Sequence, residues 1–334
     1  MLRRRKPLIY LLCLFLFLLG AQGCSIEKGS QPEDKGIPAL TQINASYSTR
    51  PINVPAIVAL DRLNFEKAFQ AEGIDFKWTE IAAGPAQLEA LASKSIDIST
   101  SMNYVSALLA KANGNDIRVV AGYSQFPEGI AIVAGTDRNV KTLADLKGKK
   151  IALQKGTMLH EFLIKALEKA NLSPTDVEMV AMESVDAAPA MMGGQIDAAI
   201  LPEPLLTKVI SSGKGILVQN AEGFITGQTF IVARSDFALN HPEAVKRFIQ
   251  LHEESIQWAE QNKEQFYTFA GEQLKLEPKA VEALYPKFVF STQINSQMIH
   301  ELKESAQFLQ KNGFIKSTVN TDQLVDDLVD ISFL

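Results

Sequence analysis

The chain of 334 residues is poor in the groups that build reactive or metal-bound sites. It has 2 cysteines and 4 histidines. None lies in metal-ligand spacing with another, which excludes a zinc ribbon and a disulfide-stapled scaffold. Basic charge is short as well. Lys and Arg number 33 against 38 Asp and Glu, a formal net charge of -5, where a nucleic-acid binder shows a basic surface. No glycine fingerprint for a dinucleotide is present, and Gly148-Lys149-Lys150 lacks the glycine run of a phosphate loop. There is no nucleophile elbow and no low-complexity tract. No cofactor, metal or nucleic-acid partner is expected. The 46% hydrophobic and 21% charged residues are ordinary globular composition, long enough for two domains of about 150 residues.

What is present begins with an address. Arg3-Arg4-Arg5-Lys6 is a basic region, followed by an apolar run from Leu8 to Leu19 and then Gly20-Ala21-Gln22-Gly23-Cys24. The run is shorter than the roughly 20 residues of a spanning helix and reads as a signal peptide over residues 1–23. Small residues at Ala21 and Gly23 directly before a cysteine resemble a bacterial lipoprotein cleavage box, with Cys24 as the lipidated residue. An uncleaved anchor and a plain signal peptide are the other readings. Residues 24–40 are rich in Gly, Ser, Gln, Pro and charge and read as a tether. Cleavage removes Cys13 and four basic residues, leaving an acidic body held at the extracytoplasmic face of the cell envelope by lipid alone.

Short apolar strands then alternate with helical patterns. The pattern predicts strands at 41–46, 74–81, 96–99, 117–122, 129–134, 150–154, 177–182, 195–201 and 227–233. Helices fall at 54–72, 85–93, 103–112, 157–170, 186–193 and 202–211. This βαβα grammar implies an α/β fold with parallel-rich sheets flanked by helices. From Pro242 onward the pattern is almost wholly helical. Ala90-Leu91-Ala92-Ser93-Lys94-Ser95-Ile96-Asp97-Ile98 is echoed by Ala190-Met191-Met192-Gly193-Gly194-Gln195-Ile196-Asp197-Ala198, which suggests two similar lobes. The expected division is lobe 1 over 41–124, lobe 2 over 125–224, and a return to lobe 1 over 225–334. Hinge crossings are expected near 124–128 and 221–226, with a site in the cleft outside the carboxyl ends of the strands.

No catalytic constellation stands out, and the chain is not expected to be an enzyme. His160 is the only histidine at a strand-to-helix junction, and it lacks a cysteine or serine partner. The stronger signal is a set of loops that precede helices. These are Gly84-Pro85, Ser99-Thr100-Ser101-Met102, Gly156-Thr157, and Pro202-Glu203-Pro204. Free N–H groups and the dipole at such ends suit a small anion. The hydroxyls of Ser101 and Thr157 are donors to a ligand or plain N-caps. Tyr47, Tyr104 and Tyr123 can form aromatic walls, Arg50 can pair an anion, and Glu203 can accept from an amino group.

These pieces, in their order, resemble the periplasmic solute-binding proteins of ABC transporters for aliphatic sulfonates, taurine and nitrate, and their relatives that bind thiamine-pyrimidine precursors. The matching segments are Ala82 to Gln87, Ser95 to Ile98, Ala144 to Ala152, Lys155 to His160, and Gly194 to Ala198 with Pro202-Glu203-Pro204. The resemblance implies a two-lobed type II periplasmic-binding-protein fold that closes on a solute without chemistry. It makes the Gly84-Pro85, Ser99–Met102, Gly156-Thr157 and Pro202–Pro204 segments pocket walls, while the loop Ser46–Arg50 and Met102-Asn103-Tyr104 depart from the family pattern. With the residues singled out above, the candidate ligand-binding set is Tyr47, Arg50, Gly84, Pro85, Ser101, Met102, Tyr104, Thr157, His160 and Glu203. The resemblance further implies a monomer that presents a small organic anion to a membrane permease and its ATPase. A receptor for a pyrimidine or other N-heterocycle, and a ligand-sensing lipoprotein, remain as alternatives.

Overall fold

The computed structural model describes residues 39–334 except 51, 82 and 83. The signal peptide, Cys24 and nearly all of the tether lie outside the described residues. Ala39–Leu334 forms one compact unit. Its strands are β1 (Gln42–Tyr47), β2 (Asp75–Glu80), β3 (Ile98–Asn103), β4 (Ile117–Gln125), β5 (Ile130–Gly135), β6 (Lys150–Leu153), β7 (Glu178–Ala181), β8 (Ala198–Pro202), β9 (Gly215–Asn220), β10 (Thr229–Arg234) and β11 (Val289–Phe290). They form a six-stranded sheet, β11-β4-β10-β3-β1-β2, and a five-stranded sheet, β7-β6-β8-β5-β9. The helices are α1 (Val54–Arg62), α2 (Asn64–Ala71), α3 (Gly84–Ala92), α4 (Tyr104–Ala112), α5 (Met158–Lys169), α6 (Ser184–Met192), α7 (Leu205–Ser211), α8 (Ser235–Asn240), α9 (Pro242–Gln261), α10 (Lys263–Leu274), α11 (Pro278–Leu284), α12 (Ser296–Lys311) and α13 (Thr321–Leu328).

The sheets are mixed, which corrects the expectation of parallel-rich pairing. β1 runs parallel to β2 and β3, and β6 parallel to β7 and β8. β10 runs antiparallel to β3 and β4, and β5 antiparallel to β8 and β9. The reason is how the chain crosses between sheets. Thr229 lies opposite both Asn103 and Ser124, while Ile130 lies opposite Pro202 and Ala131 opposite Asn220. Both crossings therefore join the sheets where β3 and β8 finish. A strand entering there runs back against its parallel neighbours. The same topology brings the carboxyl ends of β1–β3 to face those of β6–β8 across the crossings. At Gly227 the chain has φ +64, and an added Cβ would come within 3.2 Å of the Phe126 backbone. The two crossings touch there, and glycine alone satisfies both the dihedral and the space.

The long helical pattern from Val54 is broken in two. Leu63 adopts φ 52, capping α1 with its N–H on the Ala59 carbonyl, and α2 starts in a new direction. That turn buries Phe65 and Phe69 against Phe76 of β2 and Phe248 of α9, an aromatic gain large enough to offset a left-handed leucine. A second core spans both sheets, with Val105 and Leu108 of α4, Phe162 and Leu163 of α5, and Leu302 and Ala306 of α12 among its buried members.

The sequence echo is a structural repeat. Lys94 (φ 60) and Gly194 (φ 73) take the same left-handed position after their helices. The Ser95 N–H donates to the Ala90 carbonyl at 3.0 Å, and the Gln195 N–H to the Ala190 carbonyl at 2.9 Å. Asp97 Oδ2 then accepts from the Asn44 N–H of β1, and Asp197 Oδ2 from the Lys150 N–H of β6, each at 2.8 Å. Arg234 pairs with Asp97 at 3.0 Å and Arg138 with Asp197 at 3.6 Å. Each aspartate thus pins a parallel strand to an arginine at the end of, or just past, an antiparallel one.

Candidate functional site

On the six-stranded side, three loops at the ends of β1, β2 and β3 supply the wall. The first is fastened by Asn53, whose Nδ2 donates to the carbonyls of Ser48 (2.6 Å) and Arg50 (2.8 Å). Arg50 projects its side chain outward and is exposed. Tyr47 is half-buried, edge-on to Trp78 at 5.9 Å. Its pKa is raised by burial and by neighbouring Glu80. The third loop is the most constrained. Ser101 has φ 54 at an irregularity in the β3–β10 register, a backbone conformation that costs a serine about 1 kcal/mol or more. Beside it the Thr100 hydroxyl donates to the Ser46 carbonyl at 2.9 Å, and Gln87 of α3 reaches the Ile81 carbonyl at 2.9 Å. Met102 points the other way and is wholly buried in the core.

Two helix starts meet at this wall. The Asn103 side chain caps α4 by accepting from the Ser106 N–H at 3.0 Å. An added Cβ on Gly84, at the start of α3, would lie 2.7 Å from Ser106 Oγ and 3.3 Å from Asn103 Nδ2. Only a glycine lets α3 approach this closely. The starts of the two helices lie together, and their positive dipole ends are a lure for negative charge. Pro85, next in α3, is exposed.

On the five-stranded side, Thr157 caps α5. Its hydroxyl donates to the Gln154 carbonyl at 2.9 Å and accepts from the Leu159 N–H at 3.2 Å. His160 follows, buried and edge-on to Phe314 at 5.0 Å, its Nδ1 facing the Gly156 N–H. Burial, helped by the charge of Lys155, lowers its pKa to about 4, so the ring is neutral. The first turn of α5 packs among Val105, Phe308, Leu309 and Phe314. Glu203 is fully enclosed. Its carboxylate accepts from the Thr207 N–H (3.0 Å) and hydroxyl (2.9 Å) and pairs with Lys287 at 2.5 Å.

The structure thus brings Gly84 to the start of α4, and Thr157 and His160 to one helix turn. No hydrogen bond or ion pair among the described residues joins Tyr47 or Arg50 to the five-stranded side. Tyr104 turns its hydroxyl to Glu161 at 2.7 Å. Glu161, Ser305 and Lys287, which bind the two sides together, were missed by the sequence reading. Glu161 stood beside His160 in the motif, but its partners come from distant helices. Among the described residues no group of three or more His, Cys, Asp or Glu could hold a metal, and no helix is long and apolar enough to cross a membrane.

A family model described as "NMT1/THI5 like" matches residues 66–266. The chain belongs to the NMT1/THI5-like family of periplasmic solute-binding proteins. The match spans most of both sheets, including the two aspartate stations and all four helix-start loops. This NMT1/THI5-like chain is 28% identical over 325 residues to a Bacillus subtilis protein named for binding aliphatic sulfonates, covering 97% of this chain and 95% of that one. It is 27% identical over 208 residues to the taurine-binding periplasmic protein of Escherichia coli, covering 62% and 63%. The alkanesulfonate-binding protein of Xanthomonas axonopodis pv. citri, solved with MOPS bound, superposes with a TM-score of 0.79 at 25% identity, covering 88% of this chain and 100% of that one. The architecture is the mixed α/β fold of type II periplasmic binding proteins.

Proposed function

We propose that the protein captures a small organic anion of the sulfonate class, with taurine and nitrate as the nearest chemistries, and presents it to the permease and ATPase of an ABC importer. The observation that carries this reading is the meeting of the α3 and α4 starts at Gly84, Asn103 and Ser106, beside a left-handed Ser101. N–H groups at such helix starts donate to a sulfonate oxygen without needing a counter-charge. The names of the sulfonate- and taurine-binding relatives support the same class. Capture then works by population shift, since the solute binds best when both walls close on it. The N-heterocycle alternative leaned on Glu203 as an acceptor, and its carboxylate already has Lys287 and Thr207 as partners.

Titration calorimetry with butanesulfonate, taurine, nitrate and an aminopyrimidine tests the reading. A sulfonate is expected to bind with micromolar or tighter affinity, and the pyrimidine to give no heat. Binding of the pyrimidine alone would overturn the assignment. The lipid anchor at Cys24, the monomeric state and the extracytoplasmic location belong to the same proposal. Cys24→Ser is expected to release the protein from the membrane fraction, and persistent membrane association counts against the anchor.

A further inference from the structure

Glu161 is the one carboxylate of α5 that is wholly enclosed, its side chain 0% exposed. Its Oε2 accepts from the Tyr104 hydroxyl at 2.7 Å, and its Oε1 from the Ser305 hydroxyl at 3.0 Å. Lys165, one turn along the same helix, pairs with Oε1 at 2.6 Å. Tyr104 opens α4 and Ser305 lies on α12, so both hydroxyl donors come from elements that pack on the six-stranded side. The carboxylate itself belongs to the five-stranded side. Tyr104, Lys165 and Ser305 also line a cavity of about 270 Å³, together with Phe224 and Gln228 of the second crossing and Leu302. A buried carboxylate that loses its donors pays heavily unless water replaces them, and this cavity is the space through which water can reach the donors.

We infer that Glu161 is a positioning residue that clamps the two lobes. Through Tyr104 it fixes the start of α4, which forms one wall of the cleft. Through its own helix it fixes the start of α5, which forms the other. The clamp therefore sets how closely the two helix starts are aligned before solute arrives. Its effect on affinity rests on the solute-binding reading above, whereas its effect on lobe arrangement does not.

The test uses the full chain with Cys13→Ser and Cys24→Ser, spin-labelled at Gln70→Cys and Ser211→Cys, two exposed positions on opposite sides. Electron–electron double resonance reads the distance between them without solute. Tyr104→Phe with Ser305→Ala is expected to broaden or shift that distance while circular dichroism stays unchanged. The same pair is expected to weaken butanesulfonate binding about tenfold, the loss of one to two hydrogen bonds to a charged group. Ser305→Thr, which keeps a hydroxyl, should restore most of the single-site effect, a rescue that a packing role would not show. A folded double variant with the wild-type distance and with affinity within twofold of wild type overturns the clamp. If the wild type binds no anion, the function reading fails and the distance alone decides this proposal. Should the double variant not fold, Ser305→Ala alone carries both readouts under the same criteria.

Discussion

Asp97 and Asp197 hold equivalent stations in the two sheets, at different depths. Asp97 and its partner Arg234 are 11% and 14% exposed and 3.0 Å apart, whereas Asp197 and Arg138 are 20% and 28% exposed and 3.6 Å apart. Burial raises the pKa of Asp97, against the pull of the Asn44 N–H and Arg234. The difference follows from what each station joins. Arg138 and Asp197 belong to one uninterrupted stretch of chain that builds the five-stranded sheet. Arg234 arrives only after the chain has crossed to that sheet and returned. The deeper pin sits where distant segments must be brought into register.

The largest expected effect tests this directly. Asp97→Ala strands Arg234 and the Asn44 N–H in a dry site and should cost about 3 kcal/mol, the lower end for a broken buried pair because Asp236 stays 3.3 Å from Arg234. Asp197→Ala should cost about 1 kcal/mol, since Arg138 keeps Asp137 at 3.4 Å and more water. Urea unfolding of both variants checks the ranking, and equal losses would erase the distinction between the stations.

Acid should strike both sides, through one buried histidine each, since His160 of α5 and His252 of α9 have pKa values lowered alike. His252 of α9 is buried among Phe65, Phe248 and Trp78, and burial lowers its pKa to about 4 from an ordinary 6.5. Between those values the unfolded chain binds a proton that the folded one refuses. The stabilisation is complete above pH 6.5 and falls away towards pH 4, by about 3 kcal/mol in all. His252→Leu should reduce that slope in a melting-temperature profile against pH and leave the share of His160. An unchanged slope would mean that another group carries the acid sensitivity.

Smaller effects separate the two helix starts. Asn103→Ala and Thr157→Ala each remove a cap and should each cost about 1 kcal/mol. Asn103→Ala should weaken sulfonate binding more, because its cap lies where α3 and α4 converge. Calorimetry showing the opposite order would shift the anion site to α5. The left-handed turns give the finest contrast. Gly194→Ala drives a Cβ into Arg138 Nη2 and should cost about 1–2 kcal/mol, while Lys94→Gly should gain about 0.5 kcal/mol by relieving a non-glycine at φ 60. Thermal melts resolve both.

Much of this frame is legible in the sequence, because periodicity marks strands and helices and because Ile96-Asp97 and Ile196-Asp197 repeat the same turn chemistry. Strand direction is not legible. β5 and β10 are continuous buried runs, as the parallel strand β8 is, and nothing local records that they run the other way. β9 has no alternating signature because it is half-exposed along its length. No glycine or proline marks the break at Leu63. The loops of the site could be placed but not their side chains. Met102 faces the core, and the hydroxyl of Tyr104 and the carboxylate of Glu203 are spent on partners more than fifty residues away, Glu161 and Lys287. Those depend on tertiary packing, which a one-dimensional pattern does not carry.

The position of β10 has a consequence for the order of assembly. It lies between β3 and β4, so a growing chain that has reached only Gly227 contains every strand of the five-stranded sheet but leaves a gap in the middle of the other. The half of the protein made first is finished last. Until Thr229–Arg234 emerges, β4 has no partner to hold it beside β3, and the early segments stay pliable for most of the time it takes to make them.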